Sequence, residues 1–331
     1  MANQRNVVHP GRKAKSERRP ECRLLHPDSI ETDTARSISG PVLRHAIQLA
    51  QEVGARALLA LVDALEGDQS LVELARNADV RLILIRRAST RAARPAVTGC
   101  DTIDVPDVHM TRTGQVKTAL LVCLAKGLVQ RADCVVCLTG IDGSGVIDTC
   151  LVLDLATEPE LFSAVDGVSI GGDVTPEVFE RTLTLATQLA REGREGRPVG
   201  AIFVIGDSER VLEQSRSLVL NPFHGYPESE RNILDPKVED TIKEFSAIDG
   251  AFVVRGNGVV LASGVQLVPR ADAPQLPNGL GTRHAAAGAI TASTDAVAIV
   301  ISQSTGTISV FKSGQLITDL HRPATSHRLA S

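Results

Sequence analysis

The region from Asp249 to Phe311 constrains the fold of this chain more than any other part of its sequence. Short apolar runs rich in β-branched residues alternate there with turns that contain glycine, a pattern that predicts strands joined by hairpins. A segment of small residues in the middle is typical of a helix that packs closely. We therefore expect a mixed-sheet α/β domain whose polar side chains lie at the ends of apolar elements. The predicted strands are 248–254, 259–262, 296–302 and 307–311, with the helix between the second and the third.

The part of the chain before this domain has a different pattern. Continuous apolar runs alternate with helical segments, which is typical of a parallel, doubly wound sheet covered by helices on both faces. We therefore expect an N-terminal α/β domain of that class. Its predicted strands are 57–62, 81–85, 102–105 and 134–138, and its predicted helices are 41–53, 69–77 and 114–130.

Changes of composition divide the chain into five segments. Residues 1–38 carry a basic cluster with almost nothing to bury, which predicts a disordered arm. Residues 39–155 form the first α/β domain, and 156–175, with glycine and acidic residues but few apolar ones, form a linker. The second domain covers 176–318 and begins with an amphipathic helix, and a polar tail follows at 319–331.

Charge and hydropathy exclude several classes of protein. The net charge of −4 argues against a nucleic-acid surface as the main partner. No apolar run approaches the ~20 residues of a membrane-spanning helix, so we expect no membrane segment. The polar N-terminus predicts no signal peptide, and the six cysteines are typical of reduced thiols and not of a disulfide framework. These features together predict a cytoplasmic protein.

Two short motifs in the second domain carry the candidate chemistry. Asp249-Gly250-Ala251 opens the first hairpin, and Gly281-Thr282-Arg283-His284 follows about thirty residues later at a predicted helix start. This pairing resembles the catalytic core of the diadenylate cyclases, the domain also found in the DNA integrity scanning protein. Those enzymes join two ATP molecules into cyclic di-AMP and release two pyrophosphates. The resemblance implies the same activity for this chain.

The resemblance implies catalytic roles for Asp249, Arg283 and His284. Asp249 can hold a divalent cation or the attacking ribose hydroxyl, and Arg283 offers a planar charged fork suited to phosphate oxygens. His284 can donate to a phosphate, ligate a metal or move a proton, and the sequence does not choose among these. Gly250 has no Cβ, so a nucleotide can approach the backbone beside Asp249.

ATP, with Mn²⁺ or Mg²⁺, is the ligand that the resemblance implies. Asp249 is the candidate metal ligand, because hard divalent cations prefer anionic oxygen. Thr282 can add a hydroxyl donor, and backbone amides near Gly281 can hold the same anion at a helix start. The ATP-binding residues implied by the resemblance are Gly250, Ala251, Gly264, Gln266, Leu267, Gly281, Thr282 and Ser304.

Three positions depart from the family pattern. Ala285 stands where the family often has a second Arg, and Gln303 and Ser304 stand where many members have acidic residues. These changes remove a positive charge and candidate metal ligands, and they leave open a catalytically degenerate nucleotide-binding regulator. A second alternative is a metabolite sensor that works through the first domain.

The symmetry of the product predicts an assembly. Each second domain has one Asp249 motif and one Arg283 motif, enough for a single ATP. Each of the two bonds in cyclic di-AMP needs a hydroxyl from one ATP and a phosphorus from the other. We therefore expect two of these domains to meet face to face in a homo-oligomer.

The first domain resembles the C-terminal α/β domain of pyruvate kinase over roughly residues 40–155. Loops at the carboxyl ends of strands bind ligands in α/β sheets, and the similar loop of pyruvate kinase helps to hold a phosphorylated effector. The same glycines also suit any tight strand-to-helix connection, so the effector site is one of two interpretations. This order of domains resembles the archaeal-type diadenylate cyclases. The candidate effector residues are Gly140, Gly143, Ser144 and Gly145.

Overall fold

The computed structural model describes residues 27–61, 79–87, 100–107, 110–141, 144, 146–157, 172–194, 197–270 and 280–320. Several expectations lie outside these residues. They are the helix at 69–77, most of the linker, the loop residues Gly143 and Gly145, the arm before residue 27 and the tail after residue 320.

The first domain is built on a five-stranded sheet in the order β3-β2-β1-β4-β5. Strands β1 to β4 run parallel, which confirms the prediction for this domain, whereas β5 is an antiparallel edge strand that the sequence analysis missed. The elements are α1 (Pro27–Glu52), β1 (Ala57–Leu61), β2 (Leu82–Arg87), β3 (Asp101–Val105), α2 (Arg112–Ala125), β4 (Cys134–Thr139) and β5 (Thr149–Asp154).

Helices cover both faces of this sheet. Alternate residues of a strand point to opposite faces, so Leu58 of β1 packs toward α1 and Leu59 packs toward α2. Helix α1 begins at Pro27 and not near Pro41, so the predicted arm of residues 1–38 overlaps it over 27–38. Proline is favoured in the first turn of a helix, and Pro27 occupies that place in α1. The sequence analysis placed the helix start at Pro41 instead, but α1 continues through this proline.

The second domain is built on a seven-stranded mixed sheet in the order β12-β11-β10-β6-β8-β9-β7. Strands β6 and β8 are parallel, and the other neighbours are antiparallel. A 3₁₀ turn covers Glu228–Glu230. The elements are α3 (Pro176–Glu192), β6 (Ile202–Ile205), α4 (Ser208–Glu213), β7 (Ser215–Ser217), α5 (Val238–Phe245), β8 (Ala251–Val254), β9 (Val260–Leu267), α6 (Thr282–Ser293), β10 (Val297–Ile301), β11 (Ile308–Lys312) and β12 (Gln315–Leu320).

The central strands of the second sheet are buried on both faces. Phe203 of β6 stacks on Phe252 of β8 with ring centroids 4.8 Å apart, on the face that α3 covers. Val204 points to the other face and joins the cluster around α6. Burial of each such side chain is worth roughly 1.5–3 kcal/mol, so the sheet is a rigid support for the loops at its ends. Strand β12 continues to Leu320, two residues into the predicted polar tail.

The two domains are packed against each other. Helix α2 of the first contacts α3 and β12 of the second, and apolar side chains from all three belong to one buried cluster. Lys126 Nζ lies 2.8 Å from Glu180 Oε2 across this contact, and Lys117 Nζ lies 3.4 Å from the carbonyl oxygen of Asp319. None of the helices in the described ranges is long and apolar enough to cross a bilayer.

Candidate active site

A cleft of about 520 Å³ opens between the first turn of α6 and the turn that joins β10 to β11. Most of its polar lining consists of hydroxyl groups, with one Arg and one His from the start of the helix. The lining residues are Leu280, Gly281, Thr282, Arg283, His284, Ile301, Ser302, Gln303, Ser304, Thr305, Thr307, Ser309 and Asp319.

Arg283 joins the two sequence motifs. Its Nη2 donates to Asp249 Oδ1 at 2.8 Å. Asp249 stands in the turn before β8 with 87% of its side chain exposed, whereas Arg283 is 30% exposed. The carboxylate is therefore far more exposed than the guanidinium, and unlike Arg283 it is not among the lining residues of the cleft.

The Arg283 guanidinium packs against Gly200, which lies just before β6. A Cβ at this position would lie 3.0 Å from Arg283 Nη1 and 2.9 Å from the Cβ of Gln303. Since contacts of that length force a neighbour to move, the glycine lets Arg283 pack directly against the backbone. The sequence analysis missed Gly200, because a glycine in a strand entry has no distinctive signal of its own.

His284 is buried, with 5% of its surface exposed. Its Nε2 lies 3.2 Å from Ser309 Oγ, and its ring meets that of Phe311 edge to face at 6.1 Å between centroids. Burial lowers the pKa of His284 below its ordinary value, and the charge of Asp319 opposes that shift. The neutral imidazole is therefore the favoured form at neutral pH.

Ser309 and Asp319 are site residues that the sequence analysis missed. Ser309 Oγ donates to Asp319 Oδ1 at 2.5 Å, and both side chains line the cleft. A serine in the middle of the apolar run Ile308-Ser309-Val310 is the signal that could have found the first of them. Asp319 carried no signal, because it fell in the predicted tail.

Gly250 has a structural reason to be glycine that differs from the expected one. Its φ is +119°, and a Cβ there would lie 2.7 Å from backbone atoms of Gly264 and Val265 on β9. The sequence analysis expected a nucleotide to approach Gly250 where a Cβ would stand, but the backbone of β9 occupies that space. Any side chain at this position would push β8 and β9 apart.

The remaining predicted site residues fall into two groups. Gly281 and Thr282 are exposed at the start of α6, and Ser304 is exposed in the β10–β11 turn, so these three share the cleft with Arg283. The second group is not among the lining residues of the cleft. Ala251 and Leu267 are buried in the core, Gly264 packs on Gly250, and the exposed Gln266 accepts from Arg216 Nε at 2.6 Å.

Asp249 is the exposed carboxylate beside the cleft that could hold a divalent cation. Within the described ranges, no three His, Cys, Asp or Glu side chains are grouped to hold a metal. The exposed carboxylate of Asp249 still fits Mg²⁺ or Mn²⁺, since Mg²⁺ is commonly held by one or two carboxylates together with substrate phosphates and water.

The candidate effector loop of the first domain is largely tied to itself. A Cβ on Gly140 would overlap the Val146 carbonyl oxygen, so this glycine is required by the packing of the loop. Ser144 Oγ donates to the Ile141 carbonyl at 2.7 Å and accepts from the Val146 amide at 3.2 Å. Nearby, Arg112 at the start of α2 forms a two-pronged ion pair with Asp148, and this pair lowers the pKa of Asp148.

Comparison with known proteins defines the class of both domains. Residues 188–316 match the family described as "DisA bacterial checkpoint controller nucleotide-binding". Residues 39–162 match the family described as "Probable sensor domain DacZ_P". The second domain is thus similar to a nucleotide-binding family, and the first is similar to a family described as a probable sensor domain. The resemblance to pyruvate kinase is not addressed by these matches and stays a prediction.

Relatives with curated names lead to the family. The diadenylate cyclase of Haloferax volcanii is 34% identical over 197 residues, which are 60% of this chain and 71% of that protein. The diadenylate cyclase of Methanocaldococcus jannaschii is 40% identical over 179 residues, 52% of this chain and 55% of that protein. The chain belongs to the diadenylate cyclase family. A solved double mutant of DacA from Staphylococcus aureus matches 42% of this chain and 84% of its own at 25% identity, with a TM-score of 0.28.

Proposed function

We propose that this protein is a diadenylate cyclase, which condenses two ATP molecules into cyclic di-AMP and releases two pyrophosphates. The observation that carries this function is the ion pair between Asp249 and Arg283, which unites the two motifs beside the cleft. The relatives named diadenylate cyclase support it. They also favour it over the two alternatives, a degenerate regulator and a metabolite sensor.

The reaction is a phosphoryl-type transfer, in which positioning and charge stabilisation supply most of the catalysis. Arg283 carries several N–H donors in a planar fork, and its bond to Asp249 leaves others for the α-phosphate and the departing pyrophosphate. Arg283 is the one Lys or Arg among the residues that line the cleft. Backbone amides at the start of α6, with the hydroxyl of Thr282, add donors for the same anion.

Asp249 is the residue that would hold the attacking group. Its exposed carboxylate, paired with Arg283 beside the cleft, can accept a hydrogen bond from the ribose 3′-hydroxyl of the bound nucleotide. The same carboxylate would hold Mg²⁺ or Mn²⁺, and a bound cation supplies charge neutralisation of the phosphates. Gln303 and Ser304 replace acidic residues of the family pattern, so metal binding depends more on Asp249 and on ATP itself.

The active unit consists of two second domains face to face. Each domain contributes one Asp249, one Arg283 and one cleft, and the product has two-fold symmetry. In such a pair, each ATP supplies the hydroxyl for one bond and the phosphorus for the other. The face-to-face assembly rests on this symmetry argument.

The first domain senses a small effector in this proposal, in line with the description of its family as a probable sensor domain. The bonds of Gly140 and Ser144 within their own loop do not distinguish an effector loop from a tight connection. The free cysteines of the described residues and the use of ATP support the expected cytoplasmic location.

Mass spectrometry of the reaction products tests the activity. Purified protein incubated with ATP and either Mn²⁺ or Mg²⁺ should produce cyclic di-AMP and pyrophosphate in a ratio of one to two. The Asp249→Asn protein, which keeps the size of the side chain, should produce neither above background. Absence of cyclic di-AMP from the folded wild-type protein with both metals would overturn the proposal.

A further inference from the structure

A line of three polar side chains runs from the last strand to the catalytic helix. Asp319 on β12 accepts from Ser309 on β11 at 2.5 Å, and Ser309 Oγ lies 3.2 Å from Nε2 of His284 on α6. Ser309 is 0% exposed and His284 is 5% exposed. Ser309 and Asp319 face each other in the register of the β11–β12 ladder, so the sheet itself fixes their distance.

The hydrogen atoms of this line can be assigned by counting donors. An ionised carboxylate only accepts, so the single proton of the Ser309 hydroxyl goes to Asp319. The hydroxyl oxygen can then only accept from His284, and the proton of the imidazole must therefore be on Nε2. A neutral imidazole has one proton, so Nδ1 keeps a free lone pair. No hydrogen bond to Nδ1 is formed within the part of the chain that the structure describes.

This arrangement differs from the triad of serine hydrolases, in which the histidine lies between the serine and the acid. Here the serine lies in the middle, and it is fully buried. Its proton is directed to the carboxylate and not to the histidine. Ser309 therefore lacks the activation of a nucleophile.

Resting on the proposed cyclase function, we propose that Ser309 and Asp319 are positioning residues that fix His284 in the Nε2–H tautomer. His284 then acts toward the substrate as an acceptor, through Nδ1, and not as a donor to phosphate. The two residues touch the reaction only through the histidine. Partners of metal-ligating histidines hold the ring orientation and tautomer in this way, and their loss commonly costs about 10–100-fold in metal affinity or activity, so we expect a loss of the same order here.

The tautomer is measured directly by ¹H–¹⁵N correlation spectra of protein labelled at histidine, without any need for activity. The signals of His284 are those that vanish in the His284→Gln protein. The expected pattern is a protonated Nε2 and an unprotonated Nδ1 near neutral pH. A proton on Nδ1 in the wild-type protein would overturn the proposal. If the wild-type protein made no cyclic di-AMP, the proposed function would fail, and this spectrum would still decide the assignment.

Variants separate positioning from simple stability. Ser309→Ala should lower kcat by about 10–100-fold while the KM for ATP changes by less than about threefold, and should let both tautomers appear. Ser309→Thr keeps the hydroxyl and should restore the Nε2–H signal and most of kcat. Asp319→Asn offers an N–H to Ser309, which can then donate to Nε2, so the proton should move in part to Nδ1.

The matched control is Thr182→Val in α3. Like Ser309→Ala it removes a fully buried hydroxyl, but the hydroxyl of Thr182 donates to a backbone carbonyl and does not contact His284. It should leave kcat and the His284 signals unchanged even if it lowers the melting temperature. A Ser309→Ala protein that is folded and keeps kcat within about threefold of wild type would contradict the positioning role.

Discussion

Nη2 of Arg283 lies 2.8 Å from Oδ1 of Asp249, across 34 positions of sequence. The contact links the start of α6 to the turn that precedes β8, and the guanidinium rests against Gly200 at the entry of β6. The start of α6, the turn before β8 and the entry of β6 therefore hold the guanidinium of Arg283 together. The position of that group is decided by the fold and not by a flexible loop.

Arg283→Lys should impair the enzyme almost as much as Arg283→Ala. A lysine restores the charge but not the planar fork that reaches a carboxylate and a phosphate together. We expect both variants to lose on the order of 100-fold in kcat/KM, as removal of a preorganised donor commonly does. Steady-state assays of cyclic di-AMP check this.

The control for this comparison is Arg255→Lys, at the other end of β8, where the side chain pairs with Glu228 at 2.7 Å. That exposed pair should matter little, with kcat/KM within about twofold of wild type. Near-normal turnover of Arg283→Lys would show that charge alone is needed at position 283.

Gly200→Ala should weaken catalysis without unfolding the domain. The new Cβ would press on Nη1 of Arg283 and on Gln303, and both side chains can move into the cleft. A displaced guanidinium is a misplaced catalytic group, so we expect about a tenfold loss of kcat/KM. Gly40→Ala in α1, where a Cβ meets only Arg44 Nη1 at 3.6 Å, is the matched control. Equal behaviour of the two variants would show that Gly200 does not position Arg283.

Mixed dimers test the face-to-face assembly. If Asp249 activates the hydroxyl of its own subunit's ATP, a pair with one Asp249→Asn member can close only one of the two bonds. Such pairs, purified through two different affinity tags, should accumulate the linear intermediate that carries a triphosphate at one end. Specific activity of the wild-type protein should also rise with concentration until the dimer is saturated.

Full cyclic output from a purified mixed dimer would contradict both the assembly and this role of Asp249. Mixed dimers of wild type with Thr182→Val, whose substitution lies away from the cleft, control for effects of the tags and of subunit mixing.

The acid limb of kcat/KM should lie below pH 6.5, the ordinary pKa of histidine. Burial lowers the pKa of His284, so the neutral form required of an acceptor persists as the pH falls, and activity is lost only near the lower folded pKa. Among the neighbours of His284, the carboxylate of Asp319 on β12 opposes this lowering of the pKa. Its other neighbours are Ser309 and Phe311 on β11, which are uncharged, and Arg283 on α6. Asp319→Asn should therefore move the limb of the residual activity to still lower pH. A limb above pH 6.5, or a shift upward in Asp319→Asn, would exclude His284 as the titrating acceptor.

Deletion of residues 1–26, the part of the predicted arm before α1, should leave melting temperature and turnover nearly unchanged. The composition of this segment cannot build a core. A drop of more than ~5 °C in melting temperature, on the order of 1–2 kcal/mol, would show that the arm docks on the folded domains.

Most of the strands that sequence analysis recovered are central and buried on both faces, since a continuous apolar run such as β10 has few other interpretations. The three missed strands, β5, β7 and β12, are all outer strands of their sheets. Edge strands carry polar and charged residues that limit aggregation, and these residues interrupt the apolar run by which a strand is recognised in the sequence. Asp154 and Asp319 belong to those strands.

The same limit explains what was missed at the site. The motifs of Asp249 and Arg283 are visible because their residues are contiguous. The line from His284 to Asp319 joins a helix and two strands, and its last member lies on the strand that had no recognisable pattern. Gly200 acts through a contact made only in the folded chain.

The apolar cluster that α2, α3 and β12 share has a consequence for how this protein can be rebuilt. A cut at the linker would divide this cluster, with Val116 and Leu120 on one piece and Leu183 and Ile317 on the other, all of them buried in the intact chain. The two halves are therefore not interchangeable modules. A chimera that receives a foreign first domain must also receive matching surfaces on α3 and β12, and β12 is the strand that carries Asp319.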